Sequence, residues 1–148
     1  MYGVITINGK QYMERPQYFP QDVNITVNGQ TLLAQRLVLP GVAPFRLKQL
    51  NRTIIKANAV VTNGTCPFKF KFGTSEGGVW YSQAGVGGTN DRVVDTNIFG
   101  SSQFPGVLIP PVFYDATSSI TFEIEDISNN QPYTISLVFT GAYLIPVQ

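Results

Sequence analysis

Strict alternation of apolar and polar residues along several short runs constrains the fold of this chain more than any other feature. Phe68, Phe70 and Phe72 alternate with Lys69 and Lys71. The same period of two recurs at 45–48, 120–125 and 133–140. Successive side chains of a strand point to opposite faces, so each run predicts a strand with one buried and one polar face. Residues 30–38 and 53–61 also have strand character, and the buried face predicted for 53–61 consists of Ile55, Ala57, Ala59 and Val61.

Three Asn-Gly pairs separate extended runs in the first half of the chain. They are Asn8-Gly9, Asn28-Gly29 and Asn63-Gly64. Asn-Gly favours a two-residue type I′ turn, which needs a positive φ at both positions. Each pair therefore predicts a β-hairpin.

The chain of 148 residues is long enough for one domain with a sizeable core, and no convincing amphipathic helix is found. We therefore predict an all-β protein, an antiparallel β-sandwich of jelly-roll type. Residues 73–106, rich in glycine, form a long loop in this interpretation. Residues 1–22 are predicted to be an N-terminal arm or edge hairpin, and residues 23–148 the sandwich domain.

Charge is sparse and unevenly distributed. Charged residues make up 13% of the chain, against about 25% in typical soluble domains. Residues 1–74 carry a net charge of +7 and residues 75–148 a net charge of −6. The two halves either pair across strands within one domain, with the basic faces at 46–48 or 69–71 beside the acidic face at 123–125, or meet between subunits. The basic residues are scattered, which argues against nucleic acid as a partner.

The residue types exclude several kinds of catalytic chemistry. Histidine is absent, so a Ser-His-Asp arrangement cannot form and the usual zinc ligand is missing. Cys66 is the one cysteine and is interpreted as a small buried apolar residue. We predict no cofactor and no metal. The sequence has neither a secretory signal pattern nor an apolar stretch of about 18–20 residues, so we expect a protein made in the cytoplasm with no membrane partner.

One pair of acidic residues has the spacing of a catalytic pair. Glu123 and Glu125 lie two positions apart in the run "SITFEIED", so their Cα atoms are roughly 6.6 Å apart on a strand. Retaining glycosidases place two carboxyl groups about 5–5.5 Å apart, and the run loosely resembles a catalytic strand of the jelly-roll glucanases. Ser128, however, stands where that pattern has its last acid. We favour a structural interpretation, in which the carboxylates face solvent while Ile120, Phe122 and Ile124 fill the core.

The C-terminal region carries a broader resemblance. Residues 105–145 read "PGVLIPPVFYDATSSITFEIEDISNNQPYTISLVFTGAYLI", and residues 44–50 read "PFRLKQL". Both resemble strands of small jelly-roll proteins from tailed-bacteriophage virions. The resemblance implies a non-enzymatic virion structural role, as a capsid cement or decoration protein that is often trimeric, or as a portal-side or tail component. It implies as partners a second copy of the chain and a major capsid or other virion protein, with the virion as its location.

Aromatic residues outside the alternating runs are candidate partner-interface residues. They are Tyr2, Tyr12, Tyr18 and Phe19 near the N-terminus, and Trp80, Tyr81, Phe99 and Phe104 in the glycine-rich stretch. The N-terminal group is predicted to lie across a neighbour by β-augmentation. For the second group, folding back over the same sandwich is an equal alternative. A carbohydrate- or receptor-binding module is the second functional hypothesis, with Trp80, Tyr81 and Tyr114 as stacking residues.

Overall fold

The computed structural model describes residues 3–62, 64–74, 80–81, 92–99 and 106–147, and of Thr74, Trp80, Tyr81, Ile109 and Pro110 only the backbone. About two thirds of these residues lie in antiparallel strands and none lies in an α-helix, which confirms the all-β class. The strands are β1 (Val4–Ile7), β2 (Lys10–Ile25), β3 (Thr31–Val38), β4 (Phe45–Lys56), β5 (Ala59–Val61), β6 (Phe68–Thr74), β7 (Trp80–Tyr81), β8 (Val93–Val94), β9 (Gly106–Tyr114), β10 (Ser119–Asp126) and β11 (Tyr133–Pro146), with a single 3₁₀ turn at Asp95–Asn97.

Two sheets make up the molecule. Sheet A has the order β1-β2-β11-β4-β5, with β9 also paired to β4. Sheet B has the order β3-β10-β6-β7, with β8 also paired to β6. The long strands β2 and β4 both flank β11, so neighbours in the sheet come from opposite ends of the sequence.

The core lies between the sheets and is rich in phenylalanine. From sheet B, Phe70, Phe72 and Phe122 point inward and are almost fully buried. Phe139 of sheet A meets Phe122 with ring centroids 5.9 Å apart. The alternation at 68–72, 120–125 and 133–140 therefore predicted the inward faces correctly, and the two sheets pack as a β-sandwich.

One ion pair also lies inside the sandwich. Arg52 points inward from β4, and its Nε atom donates to Asp95 Oδ2 at 2.7 Å. Both side chains are buried. Asp95 Oδ1 also accepts a hydrogen bond from the backbone N–H of Phe68 at 3.5 Å. This pair joins sheet A to the segment that follows β8 on the sheet B side.

The Asn-Gly pairs have different roles. Asn8 and Gly9 both have positive φ and close the two-residue hairpin between β1 and β2, as predicted. The hairpin predicted at Asn28-Gly29 is wrong, because β2 belongs to sheet A and β3 to sheet B. Gly64 likewise lies between β5 of sheet A and β6 of sheet B, while Asn63 is outside the described residues. An Asn-Gly pair thus predicts a turn, but not whether the two strands pair.

The single strand predicted at 53–61 is also wrong. Ala57 and Asn58 both have positive φ and form a two-residue turn between β4 and β5, with Lys56 opposite Ala59. Ala57 and Ala59 are exposed as a result, and Ile55 and Val61 are only half-buried. Asn tolerates the left-handed region more readily than Ala, so Asn58 was the available signal.

The N-terminal segment belongs largely to sheet A. Strand β2 pairs with β11 from Tyr12 opposite Pro146 to Ile25 opposite Tyr133. The boundary predicted between residues 22 and 23 thus falls within one continuous strand. Gly141 lies at a register shift between β11 and β4, where a Cβ atom would stand 1.8 Å from the carbonyl oxygen of Arg46. Only glycine allows this close approach, at which the pairing slips by one residue.

Candidate functional site

The acidic run at the centre of sheet B faces basic residues on the neighbouring strand. Glu123 lies opposite Lys71, and Glu125 lies opposite Lys69, across the β10–β6 pair. This confirms the predicted pairing of the 69–71 face with the 123–125 face. Basic residues of the first half of the sequence therefore pair with acidic residues of the second half within one chain at this position.

Arg92 completes a charged cluster on this outer face of sheet B. Its Nη2 and Nε atoms donate to Glu123 Oε1 at 2.8 Å and 3.2 Å. Its Nη1 atom lies 3.7 Å from Glu125 Oε2, and Lys71 Nζ lies 3.6 Å from Glu123 Oε1. The side chains of Lys71 and Arg92 are almost fully buried. We call Lys71, Arg92, Glu123 and Glu125 the charged cluster.

The sequence suggested that the carboxylates of this cluster face solvent. The structure instead shows both of them in contact with Arg92. Strand β10 lies between β3 and β6, and the side chain of Glu123 is only 16% exposed. A guanidinium that holds both carboxylates binds their charged forms. A glycosidase instead needs one carboxylic acid that gives up a proton to the leaving group. The cluster therefore has the contacts of a structural ion-pair network.

A second polar network closes the end of the sandwich where β10 leads into β11. Four donors converge on the carboxylate of Asp126. Tyr133 Oη and the Ser128 N–H donate to Oδ1 at 2.6 Å and 3.0 Å. The Gly29 N–H donates to Oδ2 at 3.0 Å, and Gln131 Nε2 donates to the same oxygen. Asp126 thereby ties the β2–β3 turn to the β10–β11 connection.

These contacts change the acidity of the groups involved. Burial alone would raise the pKa of the Asp126 carboxyl, but the hydrogen bonds from Tyr133, Ser128, Gly29 and Gln131 outweigh it and hold the pKa below its usual value. Burial, together with the hydrogen bond to Asp126, raises the pKa of the Tyr133 hydroxyl. Burial raises the pKa of the Cys66 thiol, which fits its interpretation as a buried apolar residue.

Four of the residues predicted to form partner contacts have described side chains, and these four differ in their environments. Tyr18 is 66% exposed on β2, whereas Tyr12 and Phe19 are half-buried. Phe19 packs edge-on against Phe45 with ring centroids 5.1 Å apart. Phe99 is 6% exposed and packs against Phe70 in the core, so this ring folds back over its own sandwich.

The other candidate residues give less information. Trp80 and Tyr81 form β7, and their side chains are outside the description. Tyr2 and Phe104 also lie outside the described residues, as does most of the predicted glycine-rich loop. Tyr114 was predicted to stack on sugars, and that prediction is wrong because its side chain is 1% exposed. It faces the core from β9, opposite Phe45.

The outer face of sheet A differs from that of sheet B. Register and burial place twelve outward residues in four rows across β2, β11 and β4. We call them the sheet A face: Tyr18, Pro20, Asp22 and Asn24 on β2, Thr134, Ser136, Val138 and Thr140 on β11, and Gln49, Asn51, Thr53 and Ile55 on β4. Only Asp22 among them is charged. Exposed Val107 of β9 and Val60 of β5 continue the first and last rows.

Metal and membrane signatures were sought in the same part of the chain. Across the described ranges, no group of three or more Cys, Asp or Glu side chains could hold a metal ion. Those ranges also contain no helix long and apolar enough to span a bilayer.

Comparison with family models, with curated proteins and with solved structures gives no significant match in any of the three.

Several residues of these networks carried no clear signal in the sequence. Arg92 and Asp95 lie within the glycine-rich stretch at 73–106, where no alternation assigns them to a strand. The one available signal was that Arg92 is the only basic residue in the second half of the chain. Asp126 ends an alternating run at an inward position, which is where an acidic residue needs hydrogen-bond donors.

Proposed function

We propose that this chain is a non-enzymatic structural protein of a virion, a jelly-roll subunit that oligomerises and stabilises a protein shell as a capsid cement or decoration protein. The strand order carries the proposal. One sheet contains β2-β11-β4-β9 and the other contains β3-β10-β6 with β7 and β8. This order supports a jelly-roll arrangement, in which two Greek keys interleave as they do in viral capsid and lectin domains.

The use of the charged side chains supports a structural role. Glu123 and Glu125 hold Arg92, Asp95 holds Arg52, and Glu14 holds Lys48 with Nζ 2.5 Å from Oε2. Each of these carboxylates stabilises the fold through an ion pair. A catalytic site needs groups that can change their charge during a reaction, and ion pairs resist that change.

Exposed apolar side chains support association with other proteins. Tyr18, Val60 and Val107 are all more than half exposed and lie on or beside the sheet A face. Val38 and Leu33 of β3 are also more than half exposed. Apolar surface of this kind, in a chain with few charges, is typical of proteins that bury surface against a partner.

The test first asks whether a neighbouring open reading frame encodes a capsid protein, and then adds the purified protein to shells assembled from that capsid protein. We expect saturable binding at a fixed number of copies per particle, and shells that withstand higher temperature. Sedimentation velocity of the free protein should give an oligomer, with a trimer favoured. A protein that binds no shell and is monomeric at every concentration would contradict the proposal. A specific hit on a glycan array would instead favour the carbohydrate-binding alternative, with Trp80 and Tyr81 as stacking residues.

A further inference from the structure

We propose that a second copy of this chain covers the sheet A face, packed face to face, with Tyr18 as the anchor of the contact. The inference rests on the proposed function, because it names the surface through which the copies associate. A two-fold contact closes at two copies, so the inference expects a dimer in place of the trimer that the resemblance favours. Four features of the described residues support it.

The first feature is composition. One charge among the twelve residues of the sheet A face is far below the roughly 25–35% charged residues of a stable monomer surface. Interface centres lose charged residues and gain tyrosine. Tyr18 provides such a ring, standing exposed opposite Thr140 of β11. The composition therefore fits a surface that is buried after assembly.

The second feature is that the edges of sheet A resist pairing with another strand. The N–H of Glu14 donates to Gly3 O on the β1 side at 2.8 Å, so even-numbered residues of β2 direct their N–H groups away from β11. Pro16 and Pro20 are even-numbered and have no N–H, so this edge lacks two of its donors. On the other side of the sheet, β5 and β9 share the edge beside β4, and β9 contains Pro110 and Pro111.

Strand β3 of sheet B is a third exposed edge, and an irregularity interrupts it. Ala34 has a φ of 53°, and the β10–β3 register shifts between Phe122 and Ile124. Bulges and prolines at edges are devices that prevent edge-to-edge association. Addition of a strand to β2, as predicted from the sequence, is therefore less favourable than contact through a face.

The third feature is size. With rows about 6.8 Å apart and strands about 4.8 Å apart, the twelve residues together with Val60 and Val107 cover a flat area of about 450 Å² per copy. Two copies would bury about 900 Å² in total, close to the roughly 1,000 Å² at which specific interfaces begin.

The fourth feature concerns the choice of partner. A two-fold contact places the same surface of each copy against the other, so a charged face would repel itself. The sheet A face avoids this repulsion because its single charge, Asp22, lies off the centre. The outer face of sheet B carries Arg36, Lys69 and the charged cluster, and is less suited to meet its own copy.

The test compares Tyr18→Glu with Val38→Glu by sedimentation velocity over a concentration series. The two positions are 66% and 67% exposed, so the new charge has a similar monomer environment in both. We expect Tyr18→Glu to weaken self-association at least about ten-fold, as loss of an anchor does, and Val38→Glu to change it less than about two-fold. Circular dichroism verifies the fold, and Thr140→Lys is a second face variant should Tyr18→Glu not fold.

The other outcomes are separable. A wild-type oligomer that persists in both face variants would overturn this inference and leave the oligomeric role intact. Dissociation by Val38→Glu alone would assign the contact to β3 and overturn it as well. A wild-type protein that is monomeric throughout would overturn the oligomeric role, and the inference with it. A monomer whose shell binding is lost in Tyr18→Glu would assign the face to the capsid protein, not to a second copy.

Discussion

The outer faces of the two sheets are built alike and differ in chemistry. Each has a central strand, β11 in sheet A and β10 in sheet B, paired on both sides. Along β11 the outward residues are Thr134, Ser136, Val138 and Thr140, with no charge among them. Along β10 they are Ser119, Thr121, Glu123 and Glu125, with Lys69 and Lys71 beside the two acids.

The two sheets therefore show two different chemistries for the outer face of a sheet. On sheet B, the carboxylates and the buried cations of the charged cluster contact one another, so each charge has an opposite charge beside it. The sheet A face carries only one charged residue, Asp22, while Glu14, Arg46 and Lys48 form ion pairs beyond its first row. A β-sandwich can thus be stabilised internally through one face while the other remains suited to a partner.

The largest effect should come from removing the carboxylate at the centre of the charged cluster. We expect Glu123→Ala to lower the free energy of unfolding by about 3 kcal/mol, because Lys71 and Arg92 would remain buried without the acid that both contact. Glu125→Ala is the matched control. Its side chain is 33% exposed and its contact is 3.7 Å, so the expected loss is about 1 kcal/mol or less. Urea denaturation at neutral pH measures both. If both variants lost the same free energy of unfolding, burial would not explain the difference expected between Glu123 and Glu125.

A smaller, pH-dependent effect is expected at Asp126. Its pKa is lowered in the folded state, so the stabilisation is complete above the unfolded value of about 3.9 and is lost as pH falls through the folded value. Asp126→Asn should cost about 2 kcal/mol at pH 7, since an amide nitrogen would meet hydrogen-bond donors. It should also flatten the loss of stability below about pH 4. Denaturation series at several pH values test this, with Asp22→Asn as an exposed control. A variant that keeps the wild-type acid profile would exclude Asp126 as the titrating group.

The smallest change in stability is expected on the sheet A face. Thr140→Val preserves shape and strand propensity, so the unfolding free energy of the monomer should change by less than about 0.5 kcal/mol. Self-association should become tighter, because the valine adds apolar area to the contact. Urea denaturation at low concentration measures the unfolding free energy, and sedimentation equilibrium measures self-association. Weaker association in this variant would count against a face-to-face contact at this position.

The sequence was most informative where a strand buries one face. Phe68, Phe70 and Phe72 had only one arrangement that buries all three rings, so their alternation predicted both the strand and its inward side. The opposite signs of charge then predicted that the 123–125 run lies beside either the 46–48 or the 69–71 run, and the structure shows that it is 69–71. Both predictions depend on the order of apolar and charged residues along a single strand, which decides the face on which each side chain lies.

The sequence was least informative where tertiary structure decides. Pro16 and Pro20 lie in the segment predicted to be an arm or edge hairpin, and neither alternative predicted one long strand; a strand accepts proline when its N–H would face outward at an edge. Asn28-Gly29 has the chemistry of a turn, but whether a turn joins paired strands or crosses between sheets depends on distant segments. Arg92 reaches the charged cluster from a short strand that no local pattern marks.

The pair formed by Arg52 and Asp95 has a consequence for how the two layers align. A core of similar phenylalanine rings offers several nearly equivalent ways to stack one layer on the other. Among the described residues, the Arg52 guanidinium pairs with the buried carboxylate of Asp95, and a shifted stacking would separate the two charges in apolar surroundings. We therefore expect the pair to favour one alignment of the layers over the others more than to add to stability.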